Sequence, residues 1–393
     1  MGSDEGHNVD AKQAAATKSG TAPLNWKEVW YTNCPVVSAS NVDEALGWVR
    51  EEFKKLGARY AYFRSNQLND WYPHYIHNLD NLFRVGGLFP PVHVHADIRR
   101  TRLLGATAVY EGGCMMVRAG DGIYRMADLK GKKIGLSKSL NTRKCDWWRI
   151  TEEQGIELML RINGMSRGDV EIVEFPYPDD WYSDPKMLVP MENPTELWLT
   201  RDHKHDLSVR PLEAALLKGA VDAIYTQSKY FQHLQEATGK LKAIEDLSRY
   251  PDWTLQSCNL PAVYTCSDVV AEQHPELVVA YLKGIIKVGR WCNEHKHAAA
   301  AILDKATFYR DVEDTYRNIV DVDMVPSLSP QNLAAVDVGK EFMFTHGYIK
   351  NDFNVNKWAA PEFLQQAAKE LLEERWEKVS AAKLPEATAL RLG

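Results

Sequence analysis

The 393-residue chain is 45% hydrophobic and 25% charged, enough apolar material for a large core and more length than one core usually organises, so two lobes are expected. Its 47 basic and 53 acidic residues leave a formal charge of -6, with no basic arm or run that would release counterions from nucleic acid, which argues against a nucleic-acid partner. The longest apolar stretch, around Leu277 to Val288, is interrupted by Lys283 and Lys287, so a membrane span is not expected and the protein reads as soluble.

Residues 1–24 are polar and contain no apolar h-region, which predicts a disordered tail on a cytoplasmic protein. Six cysteines, Cys34, Cys114, Cys145, Cys258, Cys266 and Cys292, lack CxxC or zinc-type spacing, so reduced thiols and no structural metal are expected. Lys27 to Tyr31 reads as a short strand ending in Thr-Asn-Cys34-Pro35. A helix follows, with Ser40 as N-cap, Asp43 three residues on, and Ala45, Leu46, Val49 and Phe53 at helical spacing. Cys34 is thereby placed in a strand-to-helix loop.

Ala61 to Phe63 is a second strand, and Arg84 to Pro91, rich in glycine and proline, reads as a loop. Arg102 to Tyr110 and Cys114 to Arg118 are buried strands. Met126 to Leu136 runs from a helical turn into a strand, and Leu212 to Tyr225 repeats helix, turn and strand. Such alternation predicts largely parallel sheets with crossover helices. Pro261 to Asp268 returns the chain to the first lobe, an amphipathic helix from Pro275 to Trp291 follows, and Leu364 to Val379 forms a terminal helix. The expected division is 25–114 plus 260–393 for lobe 1 and 115–259 for lobe 2, with 176–206 an insertion long enough to be a lid.

No segment matches a P-loop or dinucleotide fingerprint. Taken alone, Gly86-Gly87 before Pro90-Pro91 reads as a tight bend, and Arg84 as a fork of donors suited to an anion or to a carboxylate partner. Cys34, at a strand end near a helix N-terminus, reads either as an inert buried cysteine or as a thiol with electrostatic help. His74 and His77, three apart, have the spacing of a metal pair, but no third ligand accompanies them; His203 and His205 read as a solvated patch. Trp71, Tyr72, Phe89, Trp147 and Trp148 are candidates to accept a flat ligand, or to be core.

Five segments together resemble the hydroxybiphenyl sulfinate desulfinase family of microbial dibenzothiophene desulfurisation: Asn33-Cys34-Pro35-Val36, Arg84-x-Gly86-Gly87 with Pro90-Pro91, Arg100-Thr-Arg-Leu-Leu-Gly105, Asp222-Ala-Ile-Tyr225, and Trp358-Ala-Ala-Pro-Glu-Phe-Leu364. The resemblance implies an α/β, two-lobed fold of periplasmic-binding type II, each lobe a mixed, mostly parallel sheet flanked by helices, with the ligand cleft between lobes. It further implies C–S bond hydrolysis of an aromatic or related sulfinate without a cofactor. Cys34, His74 and Arg84 are the implied catalytic residues; Arg84, Gly86 and Gly87 are the implied holders of the anionic small-molecule substrate, in a protein expected to be monomeric. Two departures bear on the substrate. The Cys-to-His separation is longer than in the family, which leaves His77 a rival to His74, and Gln227 stands where the family shows tryptophan. A non-catalytic receptor for a sulfonate-like anion, or a thiamine-precursor-synthase-like enzyme, are the alternatives on the same fold.

Overall fold

The computed structural model describes residues 25–65, 71–109, 111–179, 189–200, 211–227, 238–256 and 258–381. Ten strands are set by short apolar runs: β1 Glu28–Asn33, β2 Arg59–Tyr62, β3 Leu82–Gly86, β4 Thr101–Thr107, β5 Gly113–Arg118, β6 Lys133–Ser139, β7 Glu171–Tyr177, β8 Ala223–Gln227, β9 Leu241–Asp246 and β10 Ala262–Ser267. They form two five-stranded sheets, β2-β1-β3-β10-β4 and β7-β6-β8-β5-β9. β1 is buried from its second residue onward and β3 throughout, because both lie inside the first sheet with helices against it.

Each sheet is mixed. β2, β1 and β3 run parallel, as do β7, β6 and β8, while β10 and β5 run antiparallel to both their neighbours. The antiparallel strands mark where the chain passes between the lobes: β5 opens the second sheet and β10 brings the chain home to the first. The crossing thus falls between β4 and β5, so Gly113 and Cys114 belong to the second sheet rather than to lobe 1.

The amphipathic helix Pro275–Glu294 buries Leu277, Tyr281, Leu282 and Ile285 in the core of the first lobe. Lys283, inside this apolar stretch, ends in an ion pair 2.6 Å from Glu374 and 3.0 Å from Glu370 on the terminal helix Pro361–Ala381. No helix of the described residues is long and apolar enough to cross a membrane.

Three of the five motif segments are structural. Tyr225 lies against two glycines, so close that a Cβ on Gly113 would stand 2.1 Å from its hydroxyl oxygen and one on Gly155 2.1 Å from its ring. Asp222 accepts a hydrogen bond from the backbone N of Lys133 at 2.9 Å, tying β8 to β6. Trp358 is buried, donates from Nε1 to Thr101 Oγ1 at 3.0 Å, and stacks on His95; Arg102 pairs with Asp268.

The structure corrects several local expectations. The first helix, Ala39–Leu46, is capped by Ser38, whose hydroxyl accepts from the N–H of Asn41 at 3.2 Å; Ser40 instead donates to Asn33 Oδ1 at 2.8 Å. Asp43 caps the next helix, Trp48–Lys55, accepting from the N–H groups of Trp48 and Val49. Arg84 is not in a loop. Residues 84–86 complete β3, and Phe89–His93 is a short helix that uses Pro90 and Pro91 in its first turn, where their missing N–H groups leave no bond unmade. In the insertion, Met191 and Leu197 are buried against the first lobe and Met191 N donates to Arg64 O at 3.2 Å, so this part is a strap along lobe 1 rather than a cover on the cleft. Residues 180–188 and 201–206, with His203 and His205, lie outside the described residues, as does the 1–24 tail.

Candidate functional site

β1 and β3 run parallel with Thr32 opposite Arg84 and Asn33 opposite Val85, so both strands deliver their carboxyl ends to one edge of the sheet. Ligand sites of open α/β sheets form at that edge. Cys34, the first residue beyond β1, donates its N–H to Val85 O at 2.9 Å, and Asn41 Nδ2 donates to the carbonyls of Cys34 and Val36 at 2.8 and 2.6 Å. The loop bearing the thiol is thereby fixed from both sides.

His74 comes from the short helix Tyr72–Ile76. Its Nε2 lies 2.9 Å from Cys34 Sγ and its Nδ1 2.9 Å from Thr32 Oγ1, while the ring stacks on Trp71. The imidazole is thus held on both nitrogens and one face. Burial, with the positive charge of Arg84 and then His77, holds the pKa of His74 well below the ordinary 6.5, so the ring is neutral.

Arg84 is 1% exposed. Its Nε donates to the carbonyl of His74 at 3.1 Å and its Nη1 to that of Gly87 at 2.9 Å, leaving Nη2 buried and without a hydrogen-bond partner among the described residues. A buried donor left unmet costs about 1–3 kcal/mol, so an unmet guanidinium nitrogen beside a cavity points to an anion-accepting position. A Cβ on Gly86 would stand 2.5 Å from Cys34 Sγ and 3.2 Å from Arg84 Nη2. The thiol and the unmet donor therefore converge on the space that this glycine leaves open.

Gly87 is needed for a different contact: a Cβ there would meet the amide of Asn259 at 2.7 Å. Asn259, at a positive φ of 59°, accepts from Phe89 N at 3.0 Å through its side chain and from Leu88 N at 3.1 Å through its carbonyl, which ties the end of β3 to the segment returning to β10.

These groups open onto a cavity of about 840 Å³, measured out to solvent, between the lobes. Cys34, Arg84, Gly87 and Tyr75 line it from lobe 1, and Trp147 and Trp148, stacked at 4.2 Å, from lobe 2. His74 and Gly86 are not on its surface; they stand behind the thiol. Of the five aromatic candidates, Trp71, Tyr72 and Phe89 do not line the cavity: Trp71 backs His74, Tyr72 carries Arg143 over its ring at 3.6 Å, and Phe89 is core.

The geometry separates the two histidines. His77 ends the helix in a left-handed conformation, φ 48°, buried away from the thiol, with burial first and then Arg99 and Arg84 pushing its pKa down to about 3. Among the described residues no group of three or more His, Cys, Asp or Glu is arranged to hold a metal ion. All six cysteines are free, and burial raises those of Cys145 and Cys258 to about 12.

The sequence reading missed Thr32 and Asn259. Thr32 was within reach, since a residue two before Cys34 on a strand shares its face. Asn259 was not, because nothing local links it to Phe89, 170 positions away.

Replacing Gly86 by alanine is expected to displace the sulfur and cut turnover by roughly 10²-fold, because an ångström of misplacement carries that penalty. Comparing kcat of Gly86→Ala with wild type, at equal folded fraction by circular dichroism, checks it.

The fold and the cleft define the class: a two-lobed α/β protein of the periplasmic-binding type, with a thiol, an imidazole and a guanidinium gathered at the sheet edge. Within that class, its curated homologues are 2'-hydroxybiphenyl-2-sulfinate desulfinases, from Rhodococcus erythropolis and Rhodococcus qingshengii, each 28% identical over 363 residues that cover 86% of this chain and 92% of the relative. No protein-family model matches the chain. Among solved structures it is similar to the desulfurisation enzyme DSZB, with a TM-score of 0.63, 22% identity, and coverage of 88% of this chain and 99% of that one. A DSZB mutant complexed with biphenyl-2-sulfinic acid gives 0.61 at 22% identity over 87% and 99% of the two chains. The periplasmic sulfonate-binding protein SsuA of Methylobacillus flagellatus gives 0.59 at 17% identity, over 88% and 95%.

Proposed function

We propose that the chain is a desulfinase, hydrolysing the carbon–sulfur bond of an aromatic or related sulfinate and releasing sulfite. The observation that carries this reading is the 2.9 Å contact between Cys34 Sγ and His74 Nε2 beside the unmet Nη2 of Arg84, on a chain whose curated relatives bear that name. A receptor that only holds an anion would have no use for the thiol–imidazole contact.

In this reading Arg84 takes a sulfinate oxygen through Nη2 in a charge-assisted hydrogen bond, and the N–H of Gly87, a residue that lines the cavity, is a second donor. The paired indoles of Trp147 and Trp148 receive the ring. Neutral His74 does not favour taking the thiol proton, since the imidazolium would be buried beside Arg84. That supports Cys34 as the proton donor: the S–H bond breaks, a C–H bond forms at the ring carbon, the C–S bond breaks, and sulfur dioxide leaves. Water then hydrates sulfur dioxide to bisulfite and the released proton restores the thiol, so arenesulfinate and water become arene and bisulfite. His74 is a positioning residue that orients the sulfhydryl.

Incubating the protein with hydroxybiphenyl sulfinate and simpler aryl sulfinates should yield sulfite and desulfinated arene in equal amounts; absence of sulfite across the whole panel overturns the reading. The titration of His74 adds a pH signature. A lowered pKa keeps the imidazole neutral below 6.5 as well as above it, so kcat/KM should stay level from about pH 7 to pH 6, where an ordinary histidine would become charged. A half-maximal point near pH 6.5 that disappears in His74→Asn would contradict this.

A further inference from the structure

Cys34, His74 and Arg84 stand on lobe 1, while the indoles that face them come from lobe 2, so the cavity depends on how the two walls are held against each other. Lys144 lies on the loop 140–146, between β6 and the helix Trp147–Ile162; its side chain is 1% exposed and pairs with that of Asp179, 2% exposed, just beyond β7. Ser139 Oγ donates to Asp179 Oδ2 at 2.9 Å and fixes the carboxylate from the end of β6. From this anchor the loop reaches across to lobe 1. Asn141 Nδ2 donates to the carbonyl of Asp179 at 3.0 Å and to the hydroxyl of Tyr72 at 3.1 Å. The Lys144 ammonium lies 4.9 Å from the centre of the Tyr75 ring, which lines the cavity, and Arg143 covers the ring of Tyr72. Both tyrosines belong to the helix Tyr72–Ile76 that carries His74. The same loop ends on Asp146, which caps the next helix by accepting from Arg149 N at 3.2 Å and so places Trp147 and Trp148 in its first turn.

An ammonium buried this deeply persists only where a counter-charge compensates it, and the desolvation of both members offsets much of their attraction, so the pair is a weak source of stability. Its position has a larger consequence, since one nitrogen ties together the end of β7, the loop leading to the indole pair, and the Tyr75 wall. We infer that Lys144, through its pair with Asp179, is a positioning residue for the proposed reaction: it docks the lobe-2 loop on the lobe-1 helix, so that Tyr75 and the Trp147–Trp148 pair stand ready as two faces of one cavity. The inference rests on the desulfinase reading for its substrate. Cys34, His74 and Arg84 are fixed within lobe 1 by their own bonds, so the docking acts on reception of the ring rather than on the chemistry at sulfur. Where the two walls stand together in only a fraction of the molecules, apparent affinity falls by that fraction.

The test removes both charges at once, Lys144→Met with Asp179→Asn, because removing either alone strands the other in the interior. Asparagine keeps the shape of the aspartate, can still accept from Ser139, and tolerates the positive φ of 50° at this position. With hydroxybiphenyl sulfinate, KM for sulfite release should rise by roughly 10-fold or more while kcat per folded molecule stays within about threefold of wild type, the split that marks lost binding. Tyr72→Phe keeps the ring under Arg143 and deletes the hydroxyl that Asn141 meets; it should raise KM roughly threefold at unchanged kcat. A pair that only stabilises the fold would lower the melting temperature and leave both constants unchanged per folded molecule. That result, or a fall in kcat at constant KM, overturns the inference while the desulfinase stands. If the double variant does not fold, Tyr72→Phe decides, and an unchanged KM overturns the inference. If wild type releases no sulfite, the desulfinase reading fails and titration calorimetry with the same sulfinate decides the docking: equal Kd for wild type and variant, or binding to neither, overturns it.

Discussion

Cys34→Ser is expected to abolish sulfite release to within the range of a lost acid–base group, a fall of about 10²–10⁴ in kcat, with binding of an aryl sulfinate retained. The expectation follows from position. Of the groups assigned to the reaction, the thiol is the one that meets the His74 imidazole at Nε2 and also lines the cavity. A serine hydroxyl occupies the same loop, still held by Asn41 on its carbonyl, yet is a far weaker acid than a thiol. Single-turnover measurement of sulfite, beside titration calorimetry of the sulfinate, separates loss of chemistry from loss of binding. Undiminished turnover in Cys34→Ser would remove the cysteine from the mechanism. Because the thiol acts as a proton donor in this reading, rapid-quench mass spectrometry of wild type should show no sulfur-linked adduct on Cys34; an adduct that forms and decays at the catalytic rate would make the thiolate a nucleophile instead.

The second large effect is expected at Arg84. Arg84→Met removes the anion-accepting Nη2 together with the bonds that Nε and Nη1 make to His74 O and Gly87 O. Loss of a preorganised donor of this kind lowers turnover by about 10²–10³. Here the substrate is charged before reaction begins, so weaker ground-state binding should accompany the loss, as a raised KM. Arg84→Lys should rescue little, because an ammonium cannot hold two carbonyls and present a third donor in one plane. Steady-state kinetics on both variants, with thermal unfolding as a check that the buried site persists, decide the matter. A lysine variant with wild-type kcat/KM would show that charge alone suffices.

Much of this was legible in the chain. The alternation of apolar runs with amphipathic helices predicts two α/β lobes, and both β10 and the helix Pro275–Glu294 lie where the sequence places them. Residues 84–91 show why local reading fails at the site. Glycine and proline density reads as a loop, yet the β1 and β10 neighbours supply hydrogen bonds that make 84–86 a strand, and the two prolines fit a helix start. Tertiary pairing outweighed local propensity there.

The amino-acid sequence by itself determined the lobes, the thiol at a strand end, and the segments that resemble a desulfinase, because each depends on hydrophobic period or on neighbours in the chain. Tertiary structure decided which of two histidines reaches the thiol, since a left-handed residue at the end of a five-residue helix turns His77 away while His74 faces Cys34 across 40 positions. It also decided that Asn259, Glu111 and Gln227 share one cavity with Cys34. No periodic pattern connects segments so far apart; they meet because two sheets pack around a single cleft, and side-chain convergence of that kind is a property of packing rather than of local sequence.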